Sequence, residues 1–164
     1  MNIKLTDILT TRPGGRAQLR VPYFPTTFLL PTAVRDYHPM GGVQQWFVGA
    51  MTPGMTWRNG IAISETLLRT MSPEAIVELI LHETGHWWQL WKRMGPTDFP
   101  ATYGWQAGLA RVRSGSAHMH EDHIVEAEVR RLAKAMIAEA RTLPPDAVFD
   151  VTAWLQRHLP ATRP

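Results

Sequence analysis

Cysteine is absent from the 164 residues, which excludes disulfides, thiolate metal sites and a cysteine nucleophile in one step. Any metal the chain holds must be bound by imidazole and carboxylate. Long apolar runs are missing as well, since no stretch approaches the ~20 residues that a membrane-spanning helix needs. The N-terminus does not place a basic region before an apolar core, so no signal peptide is evident. The expectation is therefore a soluble, cytoplasmic protein with no membrane span, leaderless export remaining open. Charge is sparse: 19% of residues are charged against 45% hydrophobic. That balance is ordinary for a globular chain and argues against wholesale disorder. The length suits a single domain, residues 1–164, able to bury a core without staples.

The formal charge of +3 is unevenly spread. Residues 1–60 carry Lys4, Arg12, Arg16, Arg20, Arg35 and Arg58 against only Asp7 and Asp36. A basic N-terminal third could touch nucleic acid, an anionic surface or an acidic partner. These side chains are scattered singly, however, which fits solvated surface better than a nucleic-acid interface.

Residues 1–58 are rich in Pro, Gly and Thr, with short apolar pieces between them. Phe28-Leu29-Leu30, Gln45 through Ala50 and Ile61-Ala62-Ile63 are predicted strands bounded by turns. Asn59-Gly60 predicts a tight type I′ turn at the tip of a hairpin running from Trp57 to Ile61. Residues 1–45 have no assignable pattern as a whole and could be an irregular extension. Past Ser64 the texture changes. Ser72-Pro73-Glu74 opens a helix, with serine as N-cap, proline at the first helical position and glutamate in the first turn. That helix runs to about Arg93, where Gly95-Pro96 stops it. A shorter helix from about Asp98 to Val112 follows. A third spans about His120 to Arg141, with Ile124, Val125, Val129, Leu132, Ala133, Met136 and Ile137 as its apolar stripe. A last one runs from Asp146 to His158. The predicted class is α+β, a small N-terminal antiparallel or mixed sheet followed by helices.

The chemistry concentrates at Leu81-His82-Glu83-Thr84-Gly85-His86-Trp87-Trp88-Gln89. Residues four apart on a helix share a face, so His82 and His86 can clamp one ion through their ring nitrogens. Glu83 is turned ~100° from His82, where it can reach a water beside the ion without ligating the ion itself. This is the physical content of H-E-x-x-H: two ligands and a general base placed by helical pitch. The competing account is that three fixed positions can recur on any long helix by chance. Against it, the flanking residues are apolar nearly all round, so the helix is buried. Burying two imidazoles and a carboxylate without partners costs on the order of several kcal/mol, which a metal would relieve. Gly85, weaker than Ala by ~1 kcal/mol in a helix, would let a neighbouring strand or a substrate approach closely. Trp87, Trp88 and Trp91 are expected to pack the core behind the site, with substrate stacking as the lesser reading.

A catalytic zinc site has three protein ligands and one open position. Candidates for the third crowd His118 through Glu128. Asp122, His123 and Glu126 lie within about one helical turn of each other. Glu126 precedes the apolar Val129, Leu132 and Ala133, which would hold its helix still. His123 is the runner-up, since three-histidine zinc sites are well known. Glu128 is two residues on and faces elsewhere, so Glu128→Ala is expected to leave metal affinity nearly untouched.

His82-Glu83-x-x-His86, followed by a distant helix bearing a carboxylate, resembles the gluzincin branch of the zincin metallopeptidases. More narrowly, it is similar to the small metallopeptidase domain associated with bacterial extracellular contractile injection systems. That group shows a pattern like HE-x-x-H-x-x-Q, then a glycine and an F…Y segment, then E-x-E-A. The counterparts here are His82 through Gln89, then Gly95, Phe99 and Tyr103, then Glu126-Ala127-Glu128-Val129. The likeness covers roughly residues 50–135, and only its first motif is specific. Val129 and Arg130 depart from the small residue and aspartate common after the glutamate. The resemblance implies a zincin-like fold and zinc, with Glu126 as third ligand. The leading expectation is a zinc-dependent peptide-bond hydrolase acting on a peptide or protein substrate. The alternative is a catalytically inactive zincin-like module that keeps its metal and serves as an adaptor or assembly domain.

Overall fold

The computed structural model of the chain describes residues 3–11, 16–36, 54–57, 60–95, 97–98, 101–102, 105 and 124–162. The class is α+β. The helices bounded within the described residues are α1 (Leu5–Ile8), α2 (Glu65–Leu68), α3 (Pro73–Trp88), α4 (Ile124–Ala140) and α5 (Val151–His158). A π-helical segment, Gln89–Met94, continues α3 directly. The strands are β1 (Leu9–Thr11), β2 (Ala17–Leu19), β3 (Thr27–Leu30), β4 (Val34–Asp36), β5 (Gly54–Trp57), β6 (Gly60–Ile63) and β7 (Val148–Asp150). They form two mixed sheets, one in the order β1-β2-β3-β7 and one in the order β4-β6-β5. The β3–β7 and β4–β6 pairs are parallel and the rest antiparallel.

The N-terminal segment, which the sequence leaves open as an irregular extension, thus supplies β1 through β4. Its buried side chains, including Ile3, Leu5, Ile8, Leu19, Phe28 and Leu30, join one apolar cluster with Ile76, Ile80, Trp88, Leu132, Met136 and Trp154. Short strands with interrupted patterns give little periodic signal; burial against the later helices defines them. Two of the scattered basic residues are also tied to the far end of the chain. Arg16 pairs with Asp150 and Arg20 with Asp146, each at 3.1 Å, which leaves less positive charge for an outside partner.

The strand expected over Gln45–Ala50 and most of the helix expected over Asp98–Val112 lie outside the described residues. The hairpin exists, but Gly60 is not in its loop. It pairs with Trp57 and so belongs to the strand β6. Gly60 is needed for a different reason: its φ is +149°, and a Cβ there would collide with the Ala33 carbonyl oxygen, which accepts from Ile61 N–H at 3.0 Å. Only a residue without a side chain allows this approach.

The last predicted helix is shorter than expected. Val148–Asp150 is a strand alongside β3, because Phe149 packs its ring 5.6 Å from that of Phe28 and so draws the segment into the sheet. Asp150 then caps α5, accepting from Ala153 N–H at 3.0 Å. Partial burial works to raise the Asp150 carboxyl, but the Ala153 amide and then the Arg16 guanidinium hold it below its ordinary range. A carboxylate with a lowered folded pKa contributes stability above its unfolded value, lost as pH falls through the folded value. Asp150→Ala is therefore expected to destabilise the chain by about 1 kcal/mol near neutral pH, as loss of an N-cap does. In urea melts the gap between variant and wild type should close at pH well below about 3.9. An equal gap at both pH values would show that the charge plays no part.

α3 begins as its sequence dictates. Ser72 Oγ accepts from Ala75 N–H at 3.2 Å and Pro73 occupies the first turn. Ile76, Val77, Leu79, Ile80 and Leu81 are buried, and β5, β6 and α4 all lie against this helix. Beyond Trp88 the backbone widens into the π-helical segment, closed by Gly95 at φ +91° with its N–H on the Leu90 carbonyl. The end is held by the C-terminal tail. Thr162 N–H donates to the Lys92 carbonyl at 2.9 Å, its hydroxyl donates to the Arg93 carbonyl, and the Trp88 indole N–H donates to the Leu159 carbonyl at 2.8 Å. Carbonyls that no longer have a helical partner are satisfied in this way.

Candidate metal centre

α3 presents His82 and His86 one turn apart, and the two rings meet edge to face with centroids 4.8 Å apart. α4 crosses α3 here and brings Glu126, in its first turn, over the pair. Glu126 Oε2 lies 3.2 Å from His82 Nε2, and Oε1 lies 3.2 Å from His86 Nε2. Potential ligand atoms of the three residues all lie within 4.8 Å of one another, a group that could hold a metal ion. An ion bound tetrahedrally at ~2.1 Å sets its ligand atoms ~3.4 Å apart, so this donor set fits a small divalent cation. The His82 side chain is 20% exposed, against 8% for both His86 and Glu126. The approach from solvent is therefore on the His82 side.

Burial pushes the His86 imidazole toward neutrality, but the hydrogen bond and charge of Glu126, then the charge of Glu83, then Gln89, together raise it above its ordinary value. Without a metal, Glu126 thus favours a proton on His86, and a cation must displace that proton to bind. Glu83 is buried at 8% exposure and lies outside the three-residue group. Of the other candidates, His118, His120, Asp122 and His123 lie outside the described residues.

The close crossing of the two helices is made at Gly85. A Cβ there would sit 3.0 Å from Val129 Cγ1 and 3.2 Å from Val129 Cβ. The neighbour that requires glycine is thus α4, rather than a strand or a substrate. A branched residue at 129 is accommodated because position 85 has no side chain. Val129 is one turn after Glu126 and shares its face, so whatever displaces it also displaces the carboxylate. Gly85→Ala gains ~1 kcal/mol of helix propensity, whereas overpacking costs about 1–3 kcal/mol. Because Val129 Cβ is fixed to the α4 backbone and cannot rotate away, the clash should prevail. The expected result is a lower melting temperature and weaker metal binding, both partly restored when Val129→Ala is added. Equal effects of Gly85→Ala in the two backgrounds would disprove the contact.

The tryptophans divide. Trp88 is core, 2% exposed, whereas Trp87 is partly buried against the core. The indole nitrogens of Trp87 and Trp91 are buried without a hydrogen-bond partner.

Sequence reasoning missed how Gln89 and Glu128 are used. Gln89 is 1% exposed and its Oε1 lies 3.2 Å from His86 Nδ1. Its amide nitrogen donates to Glu128 Oε2 at 2.6 Å, and Arg93 donates to Glu128 Oε1 at 3.0 Å. The signal was present in the spacing: His86, Gln89 and Arg93 lie three and four apart and so share a helical face.

No protein-family model matches the chain, and no curated protein or solved structure matches it either. No helix among the described residues is long and apolar enough to cross a membrane.

Proposed function

We propose that the chain is a zinc-dependent peptide-bond hydrolase of zincin-like architecture, with His82, His86 and Glu126 as metal ligands and Glu83 as general base. The supporting observation is the convergence of two histidines on one helix with a carboxylate from a second helix distant in sequence, His86 and Glu126 buried and His82 partly so. Two imidazoles and one carboxylate, with a fourth position open, is a donor set of catalytic zinc. The gluzincin-like pattern of the sequence agrees with this reading.

A zinc ion held by these three residues would supply a Lewis acid that acidifies water and polarises a carbonyl. The protein supplies the rest. Glu83, on the position after the first ligand, takes the proton of the attacking water as its oxygen bonds to the scissile carbonyl carbon. It then delivers that proton to the leaving amide nitrogen as the C–N bond breaks, giving a carboxylic acid and an amine. Burial of Glu83 keeps bulk water from competing for this proton. His82, the most open ligand, marks the side from which a peptide would enter.

The test is elemental analysis of the purified chain beside a broad peptide-cleavage assay. About one zinc per chain is expected from a single three-ligand site. A chain that takes up no metal under any condition would dispose of the proposal.

A further inference from the structure

We infer that Gln89 and Glu128 are positioning residues for the metal ligand His86: Glu128 fixes which way the Gln89 amide points, and Gln89 in turn fixes which nitrogen of His86 is bare. The inference rests on the metal-site reading above and deepens it. It also revises the sequence-based expectation that Glu128 plays no part.

Which way each group points follows from which atoms can donate. An ionised carboxylate only accepts hydrogen bonds. Glu128 lies between the Arg93 guanidinium, 3.0 Å from Oε1, and the Gln89 amide nitrogen, 2.6 Å from Oε2. The Gln89 amide must therefore present NH2 to Glu128 and its carbonyl oxygen to His86. A carbonyl oxygen cannot donate, so the 3.2 Å contact to His86 requires a proton on Nδ1. In the neutral ring this leaves the lone pair on Nε2, the atom 3.2 Å from Glu126. Each link is directed, and the direction originates at the Glu128 carboxylate, which Arg93 holds from its 40% exposed side chain. Metal-binding histidines commonly donate their second N–H to an oxygen that sets tautomer and ring angle. Here that oxygen is a buried amide which would be free to rotate without Glu128. Glu128 and Glu126 sit two apart on α4, so the helix that brings the third ligand also brings the group that orients the second.

The experiment measures zinc affinity by competition with a chromogenic chelator, alongside the visible absorption of the cobalt(II)-loaded chain, whose d–d bands report ligand geometry. Glu128→Gln is the diagnostic variant. It is isosteric, but Arg93 would hold its Oε1 and its NH2 would face Gln89. The Gln89 amide would then turn round and present NH2 to His86, forcing the proton onto Nε2. A loss of roughly 10–100-fold in affinity is expected, typical of disturbing a ligand's hydrogen-bond partner, with altered cobalt bands. The exchanged pair Gln89→Glu with Glu128→Gln restores every donor and acceptor. His86 then donates to the new carboxylate at position 89, and the new amide NH2 at position 128 donates to that same carboxylate. Arg93 donates to the amide oxygen at position 128. The exchanged pair should recover most of the affinity and the wild-type spectrum, a rescue that a packing role alone would not produce. Unchanged affinity in Glu128→Gln, or failure of the exchanged pair to improve on it, overturns the proposal. Should Glu128→Gln not fold, Glu128→Ala, which leaves the Gln89 amide free to rotate, gives the same test with a smaller loss expected, and unchanged affinity there is equally decisive. Wild-type chain without metal affinity overturns the metal site itself. Wild-type chain that binds metal, beside an indifferent Glu128→Gln, overturns only the positioning role.

Discussion

Glu126→Ala is expected to remove the metal, with affinity falling by more than the roughly 10–100-fold that follows loss of a ligand's hydrogen-bond partner. Glu126 is the only residue of the three-membered group that does not come from α3, and without it two imidazoles remain, too few for a tight zinc site. His82→Ala and His86→Ala should have the same effect, each leaving one imidazole and a carboxylate. His123→Ala and Asp122→Ala, the other candidates from the sequence, should change affinity little. Isothermal titration of zinc into each metal-free variant provides the measurement. The fold should survive Glu126→Ala, because alanine favours the helix and the change removes a buried charge. A Glu126→Ala chain that retains wild-type affinity while His123→Ala loses it would transfer the third position to His123.

The second large effect is expected from Glu83→Gln. The amide keeps the shape of the carboxylate but cannot take a proton from water. Zinc content should be unchanged, since Glu83 is not among the residues whose ligand atoms converge, while peptide turnover should fall by about 10²–10⁴-fold, as loss of a general base does. This result would separate hydrolysis from metal binding within one variant. Equal turnover in wild type and variant would mean that another group activates the water or that a contaminant is being measured. No turnover in either, with metal bound in both and many peptides tried, would favour an adaptor or assembly module that keeps its ion. The same substitution bears on protonation of the empty site. Glu83 is buried and its charge helps to raise His86, so the metal-free variant should hold the His86 proton less tightly.

The sequence by itself determined what depends on neighbours along the chain. Ser72-Pro73 starts α3 and Gly95 ends its π-helical extension, because capping and helix termination are set by residues within one turn. The pairing of His82 with His86, and the offset of Glu83, follow from helical pitch alone and needed no tertiary information. The apolar stripe of α4 was legible for the same reason, and it correctly placed Val125, Val129, Leu132, Ala133, Met136 and Ile137 in the interior, whereas Ile124, also counted in it, is 65% exposed at the first residue of the helix. The tertiary structure decided everything that joins distant parts. Only the crossing of α3 and α4 brings Glu126 within 3.2 Å of both histidines, and only that crossing gives Gly85 its partner in Val129. The same crossing turns Glu128 from a bystander into the residue that meets Gln89. Val148–Asp150 became a strand because β3 offered a parallel edge and Phe28 a ring to pack against, neither of which lies near it in sequence. Local rules fix which face a side chain leaves from; packing between elements fixes what it finds there.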